Sequence, residues 1–307
     1  SLIINGQQAQ EATNLRLLGR DSLLVLVKVL IDPDDQSLPF LVQDSVVFEV
    51  NGNQQDVKLV SWGQNARFFR GGLNVLPCNA TWTSEVPLVI YDSLLVPEGC
   101  TLTIEKGTRV HLAPSASLFV GGSLQINGTF NEPVTITSIR TDQRYNDVPG
   151  QWDGIYFLRN SRGNSVNWCR IRNGTIGLYL GTPDNDTEPD LRVYNSVIEN
   201  MALFGVQCVT SDLEMVNTLV NRCVNNTLRV TAGGNYRLLH NTFAAVSREI
   251  FREDPSFIML NVQELADGSL LQESLNVELG NNIIWGRLEE EIFIGGLEEV
   301  PVNVQAA

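Results

Sequence analysis

The chain has 307 residues, 43% of them apolar and only 18% charged, enough to bury a large core and too apolar for a disordered polymer. Its 35 acidic and 21 basic residues leave a net charge of −14, which argues against nucleic acid as a partner and would repel a polyanion over most of the surface unless the 18 arginines cluster. No run of 18 apolar residues occurs, so the sequence holds no membrane-spanning helix.

Three strands are expected near the N-terminus, at Leu23 to Ile31, Asp44 to Val50 and Gln55 to Trp62. Asn51-Gly52-Asn53 between the second and third is a hairpin signal, because both central residues of the tightest hairpin turn need positive φ. Residues 1–68 are expected to form part of an immunoglobulin-like β-sandwich, N-terminally incomplete because such a sandwich usually needs about seven strands. A connecting segment and solenoid entry over 69–96 is expected to lead into a second domain. Cys78 and Cys100 bracket that passage; we expect a disulfide between them, the alternative being two free buried thiols.

From residue 97 to 307 the pattern is that of a solenoid. Leu102 to Ile104, Val110 to Leu112, Leu118 to Val120, Leu124 to Ile126 and Val134 to Ile136 alternate apolar residues at period two, with Gly107, Gly121, Gly122 and Gly128 between them. The segment Arg140, Asp142, Arg144, Tyr145, Asp147, Trp152 and Asp153 mixes acids, arginines and aromatics and is the candidate binding site. The competing explanation for it is a solvated loop beside a core tryptophan. Further strands are expected at 151–157 and 166–173. The stretch 182–190 is acidic and bounded by prolines, so a solvated insertion is expected there.

Farther on, the phrase Asn-polar-apolar-apolar recurs at Asn195, Asn217, Asn241 and Asn281. Self-similarity at a period in the twenties, in strand-forming residues, marks a repeat that buries its apolar face only by stacking on its neighbours. The unit is a coil of a right-handed parallel β-helix. The four asparagines are expected to stack as a structural ladder at one turn, since Asn tolerates the left-handed conformation of a sharp corner. An insertion over about 247–275, with a short helix or turn at Glu249 to Glu253, accounts for the long step to Asn281. Ile292 to Gly296 is expected to be one more coil or the start of a cap.

Chemistry is sparse. Cys169, Cys208 and Cys223 lack metal-ligand spacing, and Cys169 and Cys223 suit small buried hydrophobes. His111 and His240 fall in different coils, so neither a zinc site nor a His-based triad is expected, and no metal or cofactor is assigned. A polysaccharide lyase would need an Arg or Lys base beside carboxylates holding calcium, and only that alternative brings calcium in. A galacturonan hydrolase would need a carboxylate pair; Arg170-Ile171-Arg172 matches just one fragment of that enzyme's pattern.

The order of Val60-Ser61-Trp62-Gly63-Gln64, Cys78-Asn79-Ala80-Thr81-Trp82-Thr83, Leu102-Thr103-Ile104-Glu105-Lys106-Gly107-Thr108 and Val148-Pro149-Gly150-Gln151-Trp152-Asp153-Gly154-Ile155 resembles surface proteins of Bacteroidota with right-handed parallel β-helix repeats, often lipoproteins. The resemblance spans nearly the whole chain. It implies secretion and attachment to the outer-membrane surface, with a lipid-bearing Cys upstream of Ser1. In that setting Asp-(Ser/Thr)-aliphatic triplets accept O-glycans, which makes Ser22, Ser45 and Ser93 candidates. The expected function is a noncatalytic cell-surface β-helix protein acting in adhesion, in glycan binding or as an accessory subunit of an outer-membrane assembly. Its expected partners are such an assembly or a glycan.

Overall fold

The computed structural model describes residues 2–28, 40–181, 188–245 and 252–306, and the chain divides into two units, with the boundary between Asn65 and Ala66. Among the described residues the only helix is a single 3-10 turn at Gln143–Tyr145, so the fold is all-β.

The N-terminal unit holds two antiparallel sheets of immunoglobulin-like kind. In the first, Leu2–Ile4 pairs with Gln7–Ala9 and with Val25–Val27. In the second, Phe40–Val50 and Asn53–Gly63 form a long hairpin. Both hairpins turn on Asn-Gly: Asn5 and Gly6 have φ of 47° and 84°, Asn51 and Gly52 of 51° and 79°. This twist matches that of the flanking strands. The first hairpin was equally legible, in Ile4-Asn5-Gly6-Gln7, but was not among the expected strands. Of the expected strand Leu23 to Ile31, only Val25–Val27 is formed among the described residues.

The second unit is a right-handed parallel β-helix with three faces. Face I runs from Asn74–Val75 to Ile292–Gly295, face II from Ala80–Trp82 to Val302–Ala306, and face III from Arg67–Phe69 to Ile283–Trp285. Face III has nine rungs among the described residues. Faces I and II belong to one continuous sheet, because Phe204–Val216 and Asn226–Leu239 bend through the corner at Thr210 and Ala232 without breaking.

The solenoid therefore starts earlier than expected. Arg67–Phe69 is its first rung, and 69–96, expected as connection and solenoid entry, already forms strands of all three faces. The boundary moves because the strands of these first coils are only two or three residues long, and pairing with the next rung reveals them. Much of the expected insertion at 247–275 is also coil. Phe257–Leu260 is a face I strand, and the true insertion there is a small hairpin, Val262–Glu264 with Leu270–Gln272. The acidic loop lies outside the described residues from 182 to 187, as does the expected turn from 249 to 251.

Stacking gives the core its order. Leu94, Leu118, Ile155, Leu178, Val206, Leu228 and Phe257 form one inward column on face I, each rung in register with the next and each buried. Val110, Ile136, Ile171, Ile198, Val220 and Phe243 do the same on face III. Period-two alternation decides which side chains point inward, and an unbroken register over many rungs keeps like above like. Cys78 and Cys100 are disulfide-bonded, closing successive coils at the N-terminal end. Cys169, Cys208 and Cys223 are free and fully buried, and burial pushes each thiol well above its usual pKa.

The asparagine ladder differs from expectation by one residue. The left-handed corner between faces II and III is occupied on successive rungs by Trp168, Asn195, Asn217, His240 and Asn281, with φ from 49° to 56°. Asn217 Nδ2 donates to Asn195 Oδ1 (2.7 Å), and Asn195 Nδ2 to Asn167 Oδ1 (3.0 Å). Asn241 belongs to the next column inward, where its Oδ1 accepts from the Thr218 N–H and its Nδ2 donates to Asn282 Oδ1. His240 takes the corner because the preceding strand is one residue longer relative to the Asn phrase. A separate pair, Asn173 and Asn200, stands at the corner between faces III and I, bonded at 2.7 Å.

Candidate functional site

The seven residues of the expected binding segment do not form one site. They sit in the insertion over 139–154 that joins face III to face I. Trp152 is in the core, and its indole N–H donates to the Arg172 carbonyl at 2.8 Å. Asp153 turns toward face I and accepts from Ser117 Oγ. Arg140 lies over the Tyr145 ring at 4.2 Å, while Asp142 and Arg144 are exposed. Asp147 meets Arg222 at 3.2 Å and Arg172 at 3.6 Å. Buried Gln151 holds the loop shut, donating to the Tyr145 and Val148 carbonyls and accepting from Ser138 Oγ. Sequence order suggested one cluster; the corner splits it, because residues before and after a sharp turn face different sides.

Loop and face III meet through a polar network. Arg172 Nε lies 3.1 Å from Glu199 Oε1, and Arg170 reaches the same carboxylate at 3.7 Å. Arg172, Glu199 and Asn221 follow one another on three rungs. The Asn221 Oδ1 is buried without a hydrogen-bond partner.

Face II carries a groove of about 290 Å³. One wall is a second amide ladder, which the sequence reading missed. Asn303 Nδ2 donates to Asn276 Oδ1 (2.8 Å), Asn276 Nδ2 to Asn235 Oδ1 (2.9 Å), and Asn235 Nδ2 to Asp212 Oδ1 (2.7 Å). Its separations of 23 and 41 residues repeat the corner steps from Asn217 to His240 and from His240 to Asn281. That periodicity was the available signal, but no fixed phrase surrounds these residues. Along the other side run Glu214, Arg237 and Glu278 on successive rungs, with Arg237 between the two carboxylates at 3.4 and 3.1 Å. Tyr194 Oη donates to Glu214, and its pKa is raised, chiefly by burial and then by that hydrogen bond.

In the middle of the ladder Asn235 and Asn276 each use one donor and one acceptor lone pair of the side chain. An amide has two N–H donors and two lone pairs, so one of each stays available at both. The wall is thus a row of paired donors and acceptors repeating at about the 4.8 Å spacing of strands.

Face I has an outward stack of Phe119, Tyr156 and Tyr179, with ring centroids 5.5 Å apart at each step. The rings are tilted by 30° and 44° to one another and each is half-buried. Of the O-glycan candidates, Ser22 is exposed in a loop and Ser45 lies within the long hairpin. The Ser93 hydroxyl accepts from the Ser117 N–H at a coil corner. Among the described residues, no three His, Cys, Asp or Glu side chains gather as metal ligands. No protein-family model, curated protein or solved structure matches the chain.

Proposed function

We propose that the chain is a noncatalytic cell-surface solenoid whose face II groove holds an extended, neutral glycan, in adhesion or as an accessory subunit of an outer-membrane assembly. The observation that carries this reading is the Asn235, Asn276 and Asn303 ladder opposite Glu214, Arg237 and Glu278. Sugar hydroxyls both donate and accept, which suits a wall whose amides at Asn235 and Asn276 each keep one donor and one acceptor beyond the ladder. The groove pairs one arginine with three carboxylates, Asp212, Glu214 and Glu278, so a uronate chain is disfavoured there. The surface setting rests on the resemblance of the Gln151 to Ile155 phrase and its neighbours to Bacteroidota β-helix proteins.

Affinity electrophoresis against neutral polysaccharides tests this reading. Retardation by at least one of them, weakened about tenfold by Arg237→Gln with Asn276→Leu, is the expected result. Absence of retardation overturns it. Steady release of ultraviolet-absorbing unsaturated uronates in the presence of calcium would instead establish the lyase alternative.

A further inference from the structure

The net charge of −14 led us to expect repulsion of polyanions, and the placement of the arginines overturns that expectation locally. On face II and near the C-terminal coil, arginines are matched by acids: Arg162 with Asp190, Arg192 with Glu188, Arg237 with Glu214 and Glu278, and Arg252 with Glu291. Face III is built differently. Arg109, Arg170, Arg172 and Arg222 lie on it or at its corner, and the insertion adds Arg140 and Arg144. The carboxylates on the same side are Asp142, Asp147 and Glu199, while Asp153 of the insertion turns toward face I and accepts from Ser117 Oγ. Six positive and three negative groups leave +3 on this patch.

The three acids do not neutralise it evenly. Asp147 and Glu199 are shared among Arg170, Arg172 and Arg222. Arg109, Arg140 and Arg144 have no carboxylate within ion-pair distance among the described residues, and all three are exposed. Register then sets the spacing. Arg109, Thr135 and Arg170 share one outward row, so the two arginines stand on alternate rungs, about 10 Å apart at the usual strand spacing. The next row carries Arg172, Glu199 and Asn221, whose buried Oδ1 lacks a donor.

We infer that face III is a second, independent binding surface, for an acidic glycan bearing carboxylate or sulfate groups. Arginine forks hold such groups bidentately. Charges on alternate rungs fit a chain ionised at intervals along its length. Duplex DNA, with a charge about every 1.7 Å, would feel the repulsion of the remaining surface far more strongly. At about 0.1 M salt the Debye length of roughly 10 Å screens the distant acids and leaves the local excess effective.

The test uses the full chain and matched polymers at about 0.1 M salt: dextran sulfate, alginate, unmodified dextran and a short single-stranded oligodeoxynucleotide. The expected result is binding of dextran sulfate or alginate and not of dextran on this face, weakened about tenfold by Arg109→Gln with Arg170→Gln. Both side chains are exposed, so the fold should be retained; Arg140→Gln with Arg144→Gln provides a second variant on the loop. The groove variants Arg237→Gln and Asn276→Leu should leave this binding intact, which separates its failure from that of the neutral-glycan reading. Binding of neither acidic polymer, or binding unchanged by both arginine pairs, overturns the inference. Equal affinity for the oligonucleotide also overturns it, since the surface would then read charge alone.

Discussion

The N-terminal unit and the solenoid use much the same residues, strand formers rich in Val, Leu and Ile, yet they bury them to very different extents. No described residue before Phe69 belongs to the buried apolar core, and Leu24, Val47, Val50, Val57 and Val60 are more than half exposed. In the solenoid, Ile90, Leu94, Leu102, Ile104 and Leu124 are fully buried. The difference is one of closure. A hairpin such as Phe40–Val50 with Asn53–Gly63 satisfies its backbone but covers neither face by itself, whereas a coil folds its three strands around a shared interior that the coils above and below seal.

The sharpest way to test that contrast is to remove a large side chain from the stacked core. Phe243 is fully buried and meets Phe257 edge-on at 5.0 Å. Phe243→Ala should cost roughly 3–5 kcal/mol in denaturant unfolding. A loss under 1 kcal/mol would mean the coils repack freely. The Cys78–Cys100 bridge spans 22 residues, so Cys78→Ser with Cys100→Ser should cost about 3 kcal/mol by loop-closure entropy. This loss should vanish when the unmodified chain is compared under full reduction.

A smaller effect follows from burial at His111. Its Nδ1–H donates to the Ser138 carbonyl at 3.0 Å, while burial, and to a lesser extent nearby Arg109, holds its pKa below the usual value of 6.5. The unfolded chain therefore binds more protons than the folded one as pH falls through 6.5, so stability is present above that pH and declines on acidification until the folded imidazole also protonates. Melting temperature between pH 7.5 and 5 should drop more in the native chain than in His111→Gln. Equal drops would show that this burial does not bear on titration. The smallest effect belongs to the N-terminal unit. Val47, 52% exposed, should tolerate Ala within about 0.5 kcal/mol. A cost of several kcal/mol would mean that this face is covered in solution.

Much of this architecture was legible. The Asn phrases revealed coils because a parallel stack repeats the same corner, and a corner at positive φ selects Asn. Asn195 and Asn217 were placed well for that reason. Asn241 was not, since one added residue moved His240 to the corner, and residue type cannot report a shift in register. The candidate segment from Arg140 to Asp153 was legible as unusual but not as divided, because the fate of each side chain depends on the direction of the chain through a turn.

Period-two alternation, Asn-Gly turns and a repeat in the twenties suffice to specify a β-solenoid with an antiparallel N-terminal unit. Which surface residues meet depends on the folded coils. Asn235, Asn276 and Asn303 become one wall, and Arg109 and Arg170 one row, because rungs of unequal length are brought into register by backbone hydrogen bonds. Neighbourhood across coils is set by that register, and no local pattern of residues encodes it.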